Sequence, residues 1–184
     1  MNGENLVEKM KKLWLKYFIG YSNPRRYWDS RWNCNLEAEN TTEQTGLAKF
    51  NLILQLMQKH KCKSILEVGC GRAILRDLPE YLGLDFSLEA LKKNALPYSI
   101  FADITEKIPL PTNSQDAVLS RFTLLHISPD RIERAVDEIC RVADKLILLE
   151  EPSGSSFHSQ PHCWRHDLSK LFTKFKGETI HLES

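Results

Sequence analysis

Two glycines and two aspartates stand where short apolar runs end, and their spacing suits one ligand. The run Ser64–Val68 leads into Gly69-Cys70-Gly71-Arg72-Ala73. Glycine at 69 and 71 permits a tight strand-to-helix turn and lets a ligand press against bare backbone; a plain turn uses the same residues. Asp85 closes the next run, Tyr81–Leu84. A carboxylate there can accept hydrogen bonds from both hydroxyls of a ribose, or cap a helix. Asp103 closes a third run, Tyr98–Phe101, within Ala102-Asp103-Ile104. It can accept from an adenine amino group while a backbone N–H donates to the ring, or serve as a loop aspartate. Loop chemistry does not readily account for three such sites after three successive runs. Together they outline a nucleoside pocket, with ribose at Asp85, adenine at Asp103 and a tail over Gly69–Gly71.

Later residues add reactive groups. His126 follows the fourth run, Asp116–Ser120. By position it is the best general base; the other reading is a helix-start histidine that fixes a loop. His158, His162, Cys163, His166 and Asp167 crowd one segment. Imidazoles four apart on a helix can share an ion, but Pro161 interrupts the first spacing, so no metal is expected. Glu150 and Glu151 end the fifth run and could hold a cationic acceptor or belong to a loop.

The elements that position these groups follow from periodicity. Residues 4–19 read as a helix, with Leu6, Met10, Leu13 and Tyr17 at helical spacing. Asn23-Pro24 breaks it, and an aromatic, basic stretch from Arg25 to Trp32 follows. Residues 43–60 read as a second helix. A short helix fits between Arg72 and Pro79, and another over Leu88–Asn94 behind Ser87 as N-cap. Ser128-Pro129 starts a helix carrying Ile132, Val136, Ile139 and Val142. Lys145–Glu150 is a fifth strand; a helix over Cys163–Phe172 and a strand over Phe175–Leu182 end the chain. Continuous apolar strands alternating with helices predict an α/β fold with a doubly wound, mostly parallel sheet of six or seven strands, covered on both faces. Ligands of such sheets bind beyond the carboxyl ends of the strands, where the residues above fall.

Composition excludes several classes. The chain has 184 residues, a length for one domain. With 42% hydrophobic and 27% charged residues it is ordinary globular protein. A net charge of +1 argues against a dedicated nucleic-acid binder. Lys9, Lys11, Lys12 and Lys16 interleave with Leu13, Trp14, Tyr17 and Phe18. That pattern reads as an amphipathic helix with a solvated face, or as a membrane-surface or RNA contact. The five cysteines include no C-x-x-C pair, which fits a reducing, cytoplasmic compartment without disulfides or a zinc ribbon. No apolar run approaches the ~20 residues of a membrane span, and no signal-peptide core is expected.

The run Ile65-Leu66-Glu67-Val68-Gly69-Cys70-Gly71 resembles the first motif of the seven-strand, class I (Rossmann-like) methyltransferases that use S-adenosyl-L-methionine. Leu82-Gly83-Leu84-Asp85-Phe86-Ser87 resembles their second-strand motif. Ala102-Asp103, Ile108-Pro109-Leu110-Pro111 and Gln115-Asp116-Ala117-Val118-Leu119-Ser120 resemble the third and fourth segments, and His126-Ile127 before Pro129 is similar too. The resemblance covers roughly residues 43–180. It implies that Gly69, Cys70 and Gly71 line the methionine part of the cofactor and that Glu67 orients the loop and the amino group. Asp85 would hold the ribose, with Phe86 on the adenine and Ser87 beside them. Ala102, Asp103 and Ile104 would hold the adenine edge, and backbone at Arg121 and Phe122 would face the sulfonium. Tyr27-Trp28-Asp29-Ser30-Arg31-Trp32 resembles the family's N-terminal lid, with Trp32 on the cofactor and Tyr27 and Trp28 on the acceptor; it also reads as a packed aromatic anchor. His158, His162, Trp164 and His166 resemble segments that line acceptor pockets. Residues 1–42 would then be an N-terminal helix and lid, and 43–184 the cofactor-binding domain. Ala73 replaces the family's third glycine, the first helix is short, and one strand follows the last helix where the family has a hairpin.

The expected reaction is direct displacement of a methyl group, leaving S-adenosyl-L-homocysteine. In it the protein mainly aligns the nucleophile, worth on the order of 7–11 kcal/mol, with His126 as base where the acceptor is protonated. An Asn/Asp-Pro-Pro-aromatic run and a Pro-Cys nucleophile are both missing after the fourth strand. That argues against nucleic-acid bases and for a small-molecule acceptor. A monomer or homodimer is expected. Two rivals stay open: a nicotinamide-dependent oxidoreductase, and an inactive methyltransferase-like binding protein.

Overall fold

The structure, a computed structural model, describes residues 7, 10, 23–33, 43–94, 96–152 and 162–182. Six strands make one sheet: β1 (Ile65–Val68), β2 (Tyr81–Asp85), β3 (Ser99–Phe101), β4 (Gln115–Arg121), β5 (Ala143–Glu150) and β6 (Glu178–His181). Their order is β3-β2-β1-β4-β5-β6. Every neighbouring pair is parallel, including β5 with β6. Among the described residues the expected mostly parallel sheet is therefore entirely parallel, with six strands.

A parallel sheet must be covered on both faces, because its crossovers carry helices over it. Two cores do this. On one face Leu66, Val68, Val118, Ile147 and Leu149 pack against α4 (Ile132–Val142). That helix buries Ile132, Ala135, Val136, Ile139 and Val142, one stripe at helical spacing. On the other face Ile65, Ala117, Leu119, Leu146 and Leu148 meet Ile53 and Met57 of α2 (Glu43–Lys59). Consecutive strand residues thus point to opposite cores, which is why the strands read as unbroken apolar runs.

Among the described residues, further α-helices are α1 (Pro24–Asn33), α3 (Leu88–Asn94) and the single turn α5 (Leu168–Leu171). Asn23-Pro24 starts α1: the Asn23 side chain accepts from the Arg26 amide at 3.0 Å, and proline takes the first helical position. Of the expected helix over 4–19, only residues 7 and 10 are described, both helical; the rest lies outside the described residues.

Two helices of the sequence reading are corrected. Residues 71–80 form turns, not a helix. Ala73 is left-handed at φ 50°, and Pro79 leaves too few residues to nucleate a helix before β2. Residues 163–167 are irregular, and helix begins only at Leu168, where Asp167 caps it by accepting from the Lys170 amide. Among the described residues no helix is long and apolar enough to cross a membrane.

Candidate functional site

The carboxyl ends of β1 to β5 lie along one edge of the sheet, and the strand order reverses beside β1. After β1 the chain bends through Gly69 (φ 65°) and Gly71 (φ 45°), a backbone region that favours glycine. A Cβ on Gly69 would sit 2.3 Å from Thr123 Oγ1. That hydroxyl reaches the carbonyls of Val68 (3.2 Å) and Arg121 (3.0 Å), tying the ends of β1 and β4 together. A Cβ on Gly71 would come within 3.3 Å of the Trp32 ring.

Asp85, at the end of β2, is 6% exposed. Its Oδ2 accepts from the Gly71 amide at 3.0 Å and its Oδ1 from the Ser87 amide at 2.8 Å. The carboxylate is thereby fixed, and an ionised carboxylate has acceptor sites beyond these two. Burial pushes Asp85 up to about 6 against the pull of those amides.

Asp103, after β3, is held differently. Oδ1 accepts from the Thr105 amide (2.8 Å) and hydroxyl (2.7 Å), and Oδ2 pairs with Arg131 at 3.2 Å.

Beneath the bend lies a chain of buried charges. Tyr81 donates to Glu67, and Arg121 stands 3.9 Å from Glu67 while bonding Glu150 at 2.6 Å. Lys49 closes on the other oxygen of Glu150 at 2.9 Å. Burial pushes Glu67 up to about 7, with Arg121 and the Tyr81 hydroxyl opposing it.

Helix α1 closes one side. Asp29 Oδ1 accepts from the Ser87 hydroxyl at 2.6 Å and the Glu89 amide at 3.4 Å. Lys93 donates to the Trp32 carbonyl. Tyr27 and Trp32 are buried, so the 27–32 segment is docked onto α3.

The groups expected on the acceptor side gather around the single helical turn Leu124–His126 after β4. Glu151, buried, accepts from the Ser120 hydroxyl (2.8 Å) and the amides of Thr123 and Leu124 (3.0 Å each) and Leu125 (3.4 Å). Its carboxylate caps the turn and is not available to a cationic acceptor; Glu150 is likewise engaged by Arg121 and Lys49. The segment after β5 is stapled to the same turn. The Trp164 amide donates to the Leu125 carbonyl at 2.8 Å, His166 Nε2 to Ile127 at 2.9 Å, and His126 Nδ1 to the His162 carbonyl at 3.0 Å. Trp28 meets the His126 ring edge-on at 4.8 Å, and His126 stacks on His162 at 5.3 Å. One ligand atom from each of His126, His162 and Cys163 lies within 4.8 Å of the other two, the separation of a metal trio. The alternative weighed from sequence, imidazoles four apart on a helix, has no helix through 162–166 to carry it.

These groups meet at a cavity of about 370 Å³, within the usual range for small-ligand sites. Of the residues expected at the cofactor, Trp32, Glu67, Gly69, Cys70, Gly71 and Asp85 line it, as do Phe86, Ala102, Asp103, Ile104, Arg121 and Phe122. His126 and Trp28 line it too. Ser87 does not. It is fully buried, where its amide holds Asp85 and its hydroxyl caps α3 by accepting from the Ala90 amide. Tyr27, His162, Trp164 and His166 stand behind the wall, and His158 lies outside the described residues. Sequence reasoning missed Thr123, Thr105 and Arg131, which also line the cavity. Arg131 is a cation just ahead of α4 that could have been paired with Asp103; nothing in the sequence singles out Thr123.

Residues 66–145 match the protein family described as methyltransferase domain. No curated protein matches the chain. Among solved structures it is similar to DesVI of Streptomyces venezuelae (17% identity, TM-score 0.54, covering 64% of this chain and 55% of that one). It is also similar to an S-adenosylmethionine-bound amino pentose methyltransferase of Micromonospora echinaspora (15%, 0.54, 67% and 57%). A third is the magnesium protoporphyrin IX methyltransferase of Synechocystis, solved with bound S-adenosylhomocysteine (14%, 0.51, 68% and 69%). The chain spans about half the length of the first solved proteins it matches. Residues 66–145 are thus similar to the methyltransferase-domain family, and the chain shares the Rossmann-like fold of these solved methyltransferases.

Proposed function

We propose that the chain binds S-adenosylmethionine in this cavity and transfers its methyl group to a small molecule. The observation that carries the reading is convergence. Asp85, Asp103 and the Gly69–Gly71 bend come from three separate strand ends and line one hollow of nucleoside size.

The donor set fits the cofactor. A ribose diol needs a fixed acceptor, and Asp85 is fixed by two amides. An adenine amino group needs an acceptor with capacity left over; Asp103 Oδ2 holds one bond, to Arg131. Glu67 and Arg121 give the methionine end partners of both signs. The bound cofactor supplies an already activated methyl group, so the protein's task is alignment and exclusion of water. Trp28 and Trp32 cover the cavity and exclude water. His126 takes a proton from the acceptor. Two of the similar proteins are named for small-molecule acceptors, an amino pentose and magnesium protoporphyrin IX, and a cavity of this size supports the same scale of acceptor here.

Thermal shift with S-adenosylmethionine, S-adenosylhomocysteine and NAD side by side tests the reading. Occupancy at a hundredfold excess over the dissociation constant adds about 2.7 kcal/mol. The two sulfur ligands should raise the melting temperature. A shift with NAD alone would overturn the proposal.

A further inference from the structure

Two chain segments 36 residues apart bring three metal-ligating side chains together. His126 ends the turn after β4, and His162 and Cys163 follow β5 in the chain. One ligand atom of each lies within 4.8 Å of the other two. The Cys163 sulfur stands 3.7 Å from His126 Nδ1. A tetrahedral ion with bonds of about 2.3 Å to sulfur and about 2.0–2.1 Å to nitrogen holds two such atoms about 3.6 Å apart. That pair is therefore already at coordination distance, and side-chain rotation brings the second imidazole to it.

The backbone that carries the three is fastened at several points. Glu151 caps the turn through the amides of Thr123, Leu124 and Leu125. The Trp164 amide, next to Cys163, donates to the Leu125 carbonyl at 2.8 Å, and His166 reaches the Ile127 carbonyl at 2.9 Å. The ligating rings are hydrogen-bonded as well: His126 Nδ1 lies 3.0 Å from the His162 carbonyl, and the Tyr27 hydroxyl 3.4 Å from His162 Nε2. An ion replaces the partner of the nitrogen it binds. A partner kept on the other ring nitrogen fixes the tautomer, as the outer partners of metal-bound imidazoles do. His126, His162 and Cys163 are all half-buried, deep enough to strip water from an ion and shallow enough for it to enter.

We propose that His126, His162 and Cys163 form a zinc site. Two imidazoles and a thiolate are the nitrogen-and-sulfur donor set that suits zinc and not magnesium or calcium. Three protein ligands leave the fourth position to water or a small ligand, the pattern of an open site. On binding, both rings coordinate as neutral imidazoles, and the Cys163 thiol gives its proton to solvent as the sulfur–zinc bond forms. Burial first, and the Arg31 charge with it, disfavour a proton on both imidazoles. That charge opposes the ion too, and the thiolate offsets it. A neutral imidazole offers one ring nitrogen as acceptor. An ion that takes it leaves none for a proton, so zinc withdraws His126 from the base role proposed above. This consequence rests on the methyltransferase reading; the binding of the ion does not.

The test uses the full chain after chelator treatment, titrated with Zn²⁺ in a calorimeter and with Co²⁺ in a spectrophotometer. One equivalent is expected, with the near-ultraviolet band that a thiolate gives on cobalt. Cys163→Ser should abolish the band, and His162→Ala should weaken zinc about 10-fold or more. Cys140→Ser, on α4, should leave both unchanged. Melting curves recorded before metal is added show whether each variant is folded. A second readout needs no variant: zinc should slow alkylation of Cys163, followed by mass spectrometry, and leave Cys62 and Cys140 at their original rates. Absence of stoichiometric binding overturns the proposal, as does a cobalt–thiolate band that survives Cys163→Ser or zinc that protects another cysteine instead. S-adenosylmethionine enters none of these measurements, so their outcome and that of the cofactor reading are separate.

Discussion

Asp85 and Gly71 are joined by a hydrogen bond, the glycine amide donating to Oδ2 at 3.0 Å. The bond couples the end of β2 to the bend after β1, so under the proposed function one carboxylate would set both the ribose position and the shape of the loop beneath the methionine tail. Asp85→Ala is expected to weaken S-adenosylmethionine binding by roughly 1.5–3 kcal/mol, the loss typical of a hydrogen bond to a charged group. Calorimetry that finds the affinity unchanged removes Asp85 from the site.

The two glycines of the bend are not equivalent. Both sit at positive φ, which costs a side chain about 1–2 kcal/mol. A methyl on Gly71 meets only the edge of the Trp32 ring at 3.3 Å, whereas on Gly69 it strikes the β-branched Thr123 at 2.3 Å. Thr123 cannot turn away without leaving the carbonyls of Val68 and Arg121. Gly69→Ala should therefore lower stability clearly more than Gly71→Ala in denaturant unfolding. Equal losses would show that Thr123 yields.

Glu151 holds the turn that carries His126. Its removal leaves three backbone amides and a hydroxyl without their acceptor, at about 1–3 kcal/mol for each buried group left unpaired. Glu151→Ala should be strongly destabilised, and Glu151→Gln only partly rescued, because the amide NH2 faces donors. In the folded fraction of Glu151→Gln, turnover should fall further than cofactor affinity. A variant whose affinity falls as far as its rate would place Glu151 in the general scaffold.

How much of this was legible beforehand follows from what each residue depends on. The sheet could be read because parallel strands are buried on both faces: Leu66 and Ile65 look alike in sequence although they enter different cores. Asp85 and Asp103 could be read because strand ends are local features. Ser87 was misplaced into the cavity because its N-cap role, which the sequence did show, consumes the side chain that a ligand would need. Glu151 was read as a loop or acceptor residue, since its four donors come from a segment about thirty residues away in the chain. The helix expected over 163–172 failed for a related reason. Trp164 and His166 give their hydrogen bonds to the turn after β4, and periodicity carries no trace of that.

Glu67 gives a pH signature. Its ordinary value of 4.5 is pushed up to about 7 by burial. A raised carboxyl favours the fold fully below the unfolded value, and that contribution is lost as pH rises through the folded one. Glu67→Gln lacks this loss. The melting temperature of the variant relative to the parent should climb between pH 4.5 and 7. A flat difference across that window would mean that Arg121 and Tyr81 neutralise the desolvation of Glu67.

Arg31 acts on His126, the proposed base, from outside the cavity. It stands over the rings of Tyr27 and Trp28, and its charge disfavours a proton on His126, whose value is pushed down to about 4 by burial first and by the charges of His162 and Arg31 after it. The groups around that ring are Arg31 and Trp28 from α1 and His162 and Cys163 from the segment after β5. Arg31→Met keeps much of the stem and removes the charge, so the protonated form becomes less unfavourable and the His126 value moves up toward 6.5. In a profile of kcat/KM against pH, the acid limb of the variant should lie at higher pH than that of the parent. NMR titration of the His126 ring should move in step. A limb that stays in place while the ring's titration moves would mean that another group accepts the proton.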